Sequence, residues 1–260
     1  MKTFIKNIRK YYSYAIYAGK AELKSEVVNS YLNWLWWILD PIFFMLIYTF
    51  IVQVVFKNNQ PNFPVFVFIG LTAWNFFSGM ITGSVKLFSH NRNIISKVYI
   101  PKYMLLFSKS YIYLFKAMIS FVLILGLMCI FKISFTINLL WFIPTFFVLY
   151  IITFGISSIV MHFGAYIEDL QNAINIILRM IFYLSGVFYN ISTSLPNMWG
   201  KMLLKLNPVA CIVNEFRKIF MLGTTPDFFI LLIWFFLGIF LLVIGVLLVH
   251  KYEKGYVKVI

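Results

Sequence analysis

A chain of 260 residues that is 62% hydrophobic and 12% charged, with a mean hydropathy of +0.89, is not a water-soluble fold. Its 30 Phe, 16 Tyr and 7 Trp exceed what one core of this size encloses, so much of the surface faces lipid. The 22 Lys and Arg against 8 Asp and Glu leave a net charge of +14, but they fall between apolar runs, which points to membrane orientation and away from nucleic acid.

At the amino terminus, Phe4, Ile8, Tyr11 and Ala15 recur at helical spacing while Lys2, Lys6, Arg9 and Lys10 occupy other faces. Over residues 1–30 this predicts an amphipathic interface helix, its basic residues meeting anionic membrane lipids and its apolar face entering the acyl boundary. The competing reading is a disordered basic leader. No apolar core of signal-peptide length follows Lys2, so the segment is expected to be retained.

A spanning helix needs about 20 apolar residues. Six stretches qualify, at 34–56, 63–83, 108–131, 138–162, 173–191 and 228–250, which predicts an all-α polytopic membrane protein. Residues 58–85, 133–167 and 228–250 contain no Asp, Glu, Lys or Arg. The first span opens on Tyr31, Trp34, Trp36 and Trp37 and is broken by Asp40-Pro41, where proline removes a backbone hydrogen bond. Those rings form either an interfacial belt or the wall of a pathway, since flat aromatic faces stack on sugar rings. Lys109 and Lys116 lie in the third span and Arg179 in the fifth. Intramembrane charge is expensive unless paired, wet or functional, which singles out Asp40, Lys116 and Arg179. Arg179, roughly 10 Å inside its span at 1.5 Å per residue, is placed either to hold a pyrophosphate by paired hydrogen bonds or to pair with Asp40; an Asp40–Lys116 pair is the other internal possibility.

Between spans five and six, residues 192–226 are long for a loop and not loop-like. Leu206, Val209, Ile212 or Val213, Phe216 and Ile219 or Phe220 keep helical spacing, and Asn207-Pro208 divides the stretch. Two short outer helices are expected, either re-entering the membrane or lying flat on it. Residues 1–33, 84–110 and the tail together hold fourteen Lys and Arg on one side against six on the other, so both termini are expected to be cytoplasmic, which six spans satisfy.

Few residues suggest chemistry. Gly19-Lys20 and Gly200-Lys201 are the only Gly-Lys pairs and neither precedes Ser or Thr, so no P-loop is present. His90, His162 and His250 are isolated, Cys129 and Cys211 form no ligand pattern, and Glu168 and Asp169 diverge by roughly 100° on a helix. Neither an enzyme active site nor a metal site is expected.

In order along the chain, Tyr31-Leu32, Trp36 to Pro41 and Leu46 to Phe50, then Asn91 to Lys97 with Ile100-Pro101, then Arg179 to Ser185 with Tyr189, form a recurrent pattern. Leu195-Pro196, Leu206-Asn207-Pro208, Arg217 and Tyr252-Glu253 continue it. Together they resemble the permease subunits of ABC-2 type ATP-binding cassette exporters for lipid-linked polysaccharides, over nearly the whole chain. The segment Arg179 to Tyr183 is most similar to wall teichoic acid exporters, with O-antigen and capsule permeases next. Glu168 stands where relatives carry Arg, Asn33 where they carry Gly, and Asp40 where they carry a neutral residue.

The resemblance implies one permease domain over 1–260, working as a homodimer with two copies of a separate ATPase that holds ATP and Mg, and no cofactor in this chain. It implies a cytoplasmic coupling helix at 91–103, with Asn91, Arg92, Asn93, Ile94, Ile95, Lys97 and Pro101. An outer gate would include Tyr189, Pro196, Asn207 and Pro208. A path for an undecaprenyl-pyrophosphate-linked polymer would include Tyr31, Trp36, Trp37, Asp40, Lys116, Arg179 and Tyr183. The rival readings are an ABC-2 exporter of small drugs or lipids, a polytopic glycosyl or acyl transferase, which would need acids or histidines gathered at one depth, and a secondary transporter, which would need inverted repeats.

Overall fold

The computed structural model describes residues 2–28, 31–57, 60–194, 196–253 and 255–256, with backbone alone for residues 2–8, Asn33 and Asn197. The side chains of Lys2, Phe4, Lys6 and Ile8, and the whole of Leu195, therefore lie outside the described residues. Among the described residues every element is a helix. The chain runs through α1 (Lys2–Val28), α2 (Trp36–Thr49, continued by a π-turn to Val55), α3 (Phe63–Val85), α4 (Leu87–His90), α5 (Arg92–Lys97) and α6 (Tyr103–Ile130). It continues through α7 (Phe142–Gly164, entered by a 3-10 turn from Ile137), α8 (Leu170–Leu184), α9 (Ile191–Ser194), α10 (Asn197–Leu206), α11 (Pro208–Arg217, continued by a π-turn to Leu222) and α12 (Phe228–Lys251).

Five of these, Trp36–Val55, Phe63–Val85, Tyr103–Ile130, Ile137–Gly164 and Phe228–Lys251, are long and apolar enough to cross a membrane. The stretch expected as a sixth crossing, 173–191, holds the shorter apolar helix α8 of 15 residues, which ends at Leu184. At 1.5 Å per residue it covers roughly 22 Å, short of a hydrocarbon core of about 30 Å. It stops because Ser185 closes the last turn and Gly186, at φ +63°, turns the chain away. The expected thirteen-residue coupling helix is also shorter: only Arg92–Lys97 is helical, and Val98 is extended. Pro101 disfavours helix at Ile100 and cannot donate a backbone bond.

Burial orders the bundle. In α3, 78% of the most apolar window is buried, against 17% in α2 and in α12, so α3 is the axis and the other two form the rim. Helices α7 and α12 approach closely through small residues: a Cβ on Gly155 would lie 2.7 Å from the Leu242 nitrogen, and one on Gly245 would collide with Ser158 Oγ. Helix α11 is enclosed, with Val209, Ile212, Val213 and Phe216 all fully buried. Its Phe216 and the following Phe220 meet Phe121 of α6 and Phe142 of α7, with Phe121 and Phe142 centroids 4.0 Å apart. The second half of α1 runs parallel to the first half of α6, Gly19 lying against Tyr111 and two ion pairs following in step.

Candidate functional site

A cavity of about 400 Å³ opens between α2, α3 and α6. Helix α2 contributes Trp36, Trp37, Asp40 and Pro41, the first three sharing a face at i, i+1 and i+4; α3 contributes Thr72, Asn75, Phe76, Ser78 and Gly79; α6 contributes Tyr113, Lys116, Ala117 and Ser120. Four of the residues singled out in the sequence thus meet in one place. Asn75 was missed, although it is an exposed amide in the middle of the most buried helix. Its signal was available: Thr72, Asn75 and Ser78 repeat every three residues through an otherwise apolar run. Gly79 leaves room for Tyr113, whose ring a Cβ would overlap.

The charges in this region are arranged differently from either internal pair considered above. Lys116 pairs with Glu26 of α1 at 2.7 Å, and Lys109, two turns earlier on the same face, pairs with Glu22 at 2.5 Å. Lys116 Nζ also stands 5.9 Å from the Trp37 ring and 5.7 Å from the Tyr113 ring, a cation held between two aromatic faces at the cavity rim. These carboxylates explain why α6 extends back to Tyr103 through two lysines. Sequence spacing carried the hint, with two acids on one face of α1 and two lysines on one face of α6. Among the described residues neither Asp40 nor Arg179 is in an ion pair, and both are exposed.

Arg179 lies outside the cavity lining, on the open face of α8 with Ile176, Met180 and Tyr183, each about 60% exposed. The opposite face, through buried Leu178 and half-buried Ile174, Ile181 and Phe182, packs into the core. An aromatic cluster connects the two regions. Tyr48 of α2 stacks on Phe188 at 5.2 Å, and Phe182 of α8 lies 5.1 Å from Trp74 of α3, the neighbour of Asn75. Tyr31 is wholly exposed ahead of α2.

Beyond α8, the expected gate residues fasten the turn at 185–189 to the outer helices. The Tyr189 hydroxyl donates to the Tyr183 carbonyl at 2.9 Å. Asn207 caps α11, its Oδ1 accepting from the Val209 and Ala210 amides at 3.0 and 3.3 Å, while its Nδ2 donates to Ser185 Oγ at 3.1 Å. Pro208 takes the first helical position, where no amide is missed, and Pro196 precedes α10. The principal fastener is Arg217, which the sequence offered only as one residue of the family pattern. Its guanidinium is buried, donates to the carbonyls of Gly186 at 2.8 Å, Val187 at 2.7 Å and Phe66 at 3.3 Å, and lies 3.3 Å from the Phe66 ring. Register with Val213 and Phe220, both apolar and buried, was the available sign.

The elbow joins α3 to α6 at the other end of the bundle. Asn91 turns the chain by donating Nδ2 to the Leu87 carbonyl at 2.9 Å. Ile95 and Pro101 anchor the elbow inward, whereas Arg92, Asn93, Ile94 and Lys97 face outward. A cavity of about 520 Å³ separates α4, α5 and the start of α6 from α1, with Tyr14, Tyr17, Glu22, His90, Asn91 and Ile94 on its walls.

The chain matches the ABC-2 type transporter family over residues 17–221. It is 30% identical over 230 residues to the O-antigen export system permease protein RfbA of Myxococcus xanthus, covering 86% of this chain and 87% of that one. It is 26% identical over 240 residues to the Klebsiella pneumoniae protein of the same name, covering 92% of each. Similarity to the polysialic acid transport protein KpsM of Escherichia coli is 24% over 211 residues, covering 78% of this chain and 79% of the relative.

Proposed function

The chain belongs to the ABC-2 type transporter family, and on that premise we propose that it is the permease subunit of an ATP-driven exporter of a lipid-linked surface polysaccharide. The observation that carries this reading is the cavity between α2, α3 and α6, where two tryptophans, an amide, a carboxylate and an ammonium meet inside an apolar bundle. Sugars are recognised by that chemistry: ring C–H groups lie on aromatic faces while hydroxyls exchange hydrogen bonds with amides and carboxylates. The relatives' names supply the polymer class, O-antigen or polysialic acid in their case. A teichoic acid remains within the proposal because its phosphates suit the same path.

In this reading two copies assemble across the open face of α8, which leaves Ile176, Met180 and Tyr183 to be covered. Arg179 on that face, in no ion pair among the described residues, receives the lipid pyrophosphate through paired charge-assisted hydrogen bonds. The glycan follows past Trp36, Trp37 and Asn75, and the helices held by Arg217 and Asn207 form the outer gate. Two ATPase subunits, carrying ATP and Mg, dock on Arg92, Asn93, Ile94 and Lys97. Both α1 and the chain after α12 lie at the elbow end, in keeping with cytoplasmic termini.

Depleting the protein tests the function. A lipid-linked polymer is expected to accumulate on the inner side, with export restored by the wild type and not by Arg179→Ala, although Arg179→Ala still assembles. Accumulation of a small lipid or drug, with no change in any polymer, would instead assign the small-molecule branch of the family.

A further inference from the structure

The chain beyond α12 folds back onto the elbow. Tyr256 is fully buried, its ring 4.4 Å from Phe88 of α4 and 5.9 Å from Tyr166, and its hydroxyl is 2.6 Å from Nδ1 of His162 in the last turn of α7. Tyr252 stands 5.0 Å from the same imidazole. Glu253 Oε2 lies 3.6 Å from His250, whereas Oε1 is buried with no hydrogen-bond partner among the described residues. Its charge reaches buried Lys102 at the head of α6, where burial pushes the amine's pKa down and Glu253 partly offsets that shift. A backbone bond from the Gly255 amide to the Tyr252 carbonyl, at 2.8 Å, holds this segment in a turn.

Tyr252 and Tyr256 therefore touch α4 and the end of α7 while following directly on α12, and the Glu253 charge acts on Lys102 at the head of α6. A buried polar ring gripped by aromatic neighbours and one hydrogen bond moves with them rather than sliding past, since packed interiors have few intermediate arrangements. We infer that this segment is a second mechanical link, fastening the elbow to the ends of α7 and α12, so that a displacement of the elbow is delivered to those helices as well as directly to α6. Tyr256 is its central positioning residue. The inference rests on the proposed function only for the source of the displacement; the link itself is a property of the fold.

Hydrogen exchange on the complex with its ATPase in lipid nanodiscs, without nucleotide and with ADP–vanadate, tests it. Without nucleotide, Tyr256→Ala is expected to speed exchange about tenfold or more at both 87–97 and 248–253, because opening the link exposes both at once. With ADP–vanadate, the wild type is expected to change protection at both segments and Tyr256→Ala at the elbow alone. Unchanged exchange at 248–253 in Tyr256→Ala, or a retained response there, would overturn the link. Should Tyr256→Ala not assemble, Tyr256→Phe decides: faster exchange at 161–164 is expected from loss of the His162 contact, and unchanged exchange contradicts it. A wild-type elbow that ignores nucleotide would remove the functional reading, while the nucleotide-free comparison still judges the link.

Discussion

Arg217 shows how much one side chain can be asked to hold. A guanidinium buried with no ion pair among the described residues is tolerated here because its donors reach three backbone carbonyls and its plane covers a phenyl ring. Removing it leaves the Gly186 and Val187 carbonyls without that partner, at about 1–3 kcal/mol for each that water does not reach. Arg217→Ala is therefore expected to lower the thermal midpoint of the detergent-solubilised protein sharply, and Arg217→Lys to recover only part, since a compact ammonium lacks the fork that spans the 186–187 turn and Phe66 together. Equal midpoints for Arg217→Lys and wild type would show that charge alone suffices. Lys116 is a milder case. Its partner Glu26 and both ends of the pair are about one-third exposed, so a Glu26→Gln/Lys116→Gln double-mutant cycle is expected to give a coupling of about 0.2–1 kcal/mol, measured as unfolding stability. A coupling near zero would leave Lys116 free to serve the cavity alone.

At the scale of elements, helix contacts that depend on glycine should be brittle. Gly155→Leu places a branched side chain where even a Cβ meets the backbone of α12, so α7 and α12 must separate. Loss of the monodisperse peak in fluorescence size-exclusion is the expected outcome, and a normal profile would contradict the close packing. Asn207→Ala removes the cap of α11 and the tie to Ser185; the cap alone is worth about 1 kcal/mol. Most elements could be read beforehand because apolar length and charge-free runs have a direct physical cause in the bilayer. The division at Asn207-Pro208 was equally plain, since asparagine as cap and proline in the first turn act locally. What the sequence hinted at without fixing was tertiary: which lysines of α6 Glu22 and Glu26 of α1 meet, and which carbonyls an inward Arg217 reaches. Those partners lie 30 to 151 positions away in the chain, where periodicity carries no information.

For the whole molecule, the bundle has two distinct ends joined by α3, the most enclosed of the long apolar helices. One end gathers the outer helices around Arg217; the other gathers the elbow, α1 and the chain after α12. The cavity lies between them, and Arg179 stands on an exposed face of α8. Of the candidate path, the sequence made Trp36, Trp37, Asp40 and Lys116 legible because charge and aromatic rings are conspicuous in an apolar span, but it could not tell that Arg179 lies outside the cavity they share. In the proposed exporter, energy arrives through the elbow from a nucleotide-hydrolysing companion. Purification of the tagged chain from its native membrane is the direct measurement: an ATPase subunit is expected to come with it, and Arg92→Glu/Lys97→Glu is expected to lose that subunit and its ATP hydrolysis while the permease remains folded. A doubly reversed elbow that retains the ATPase, or a permease that exports without any such partner, would contradict it.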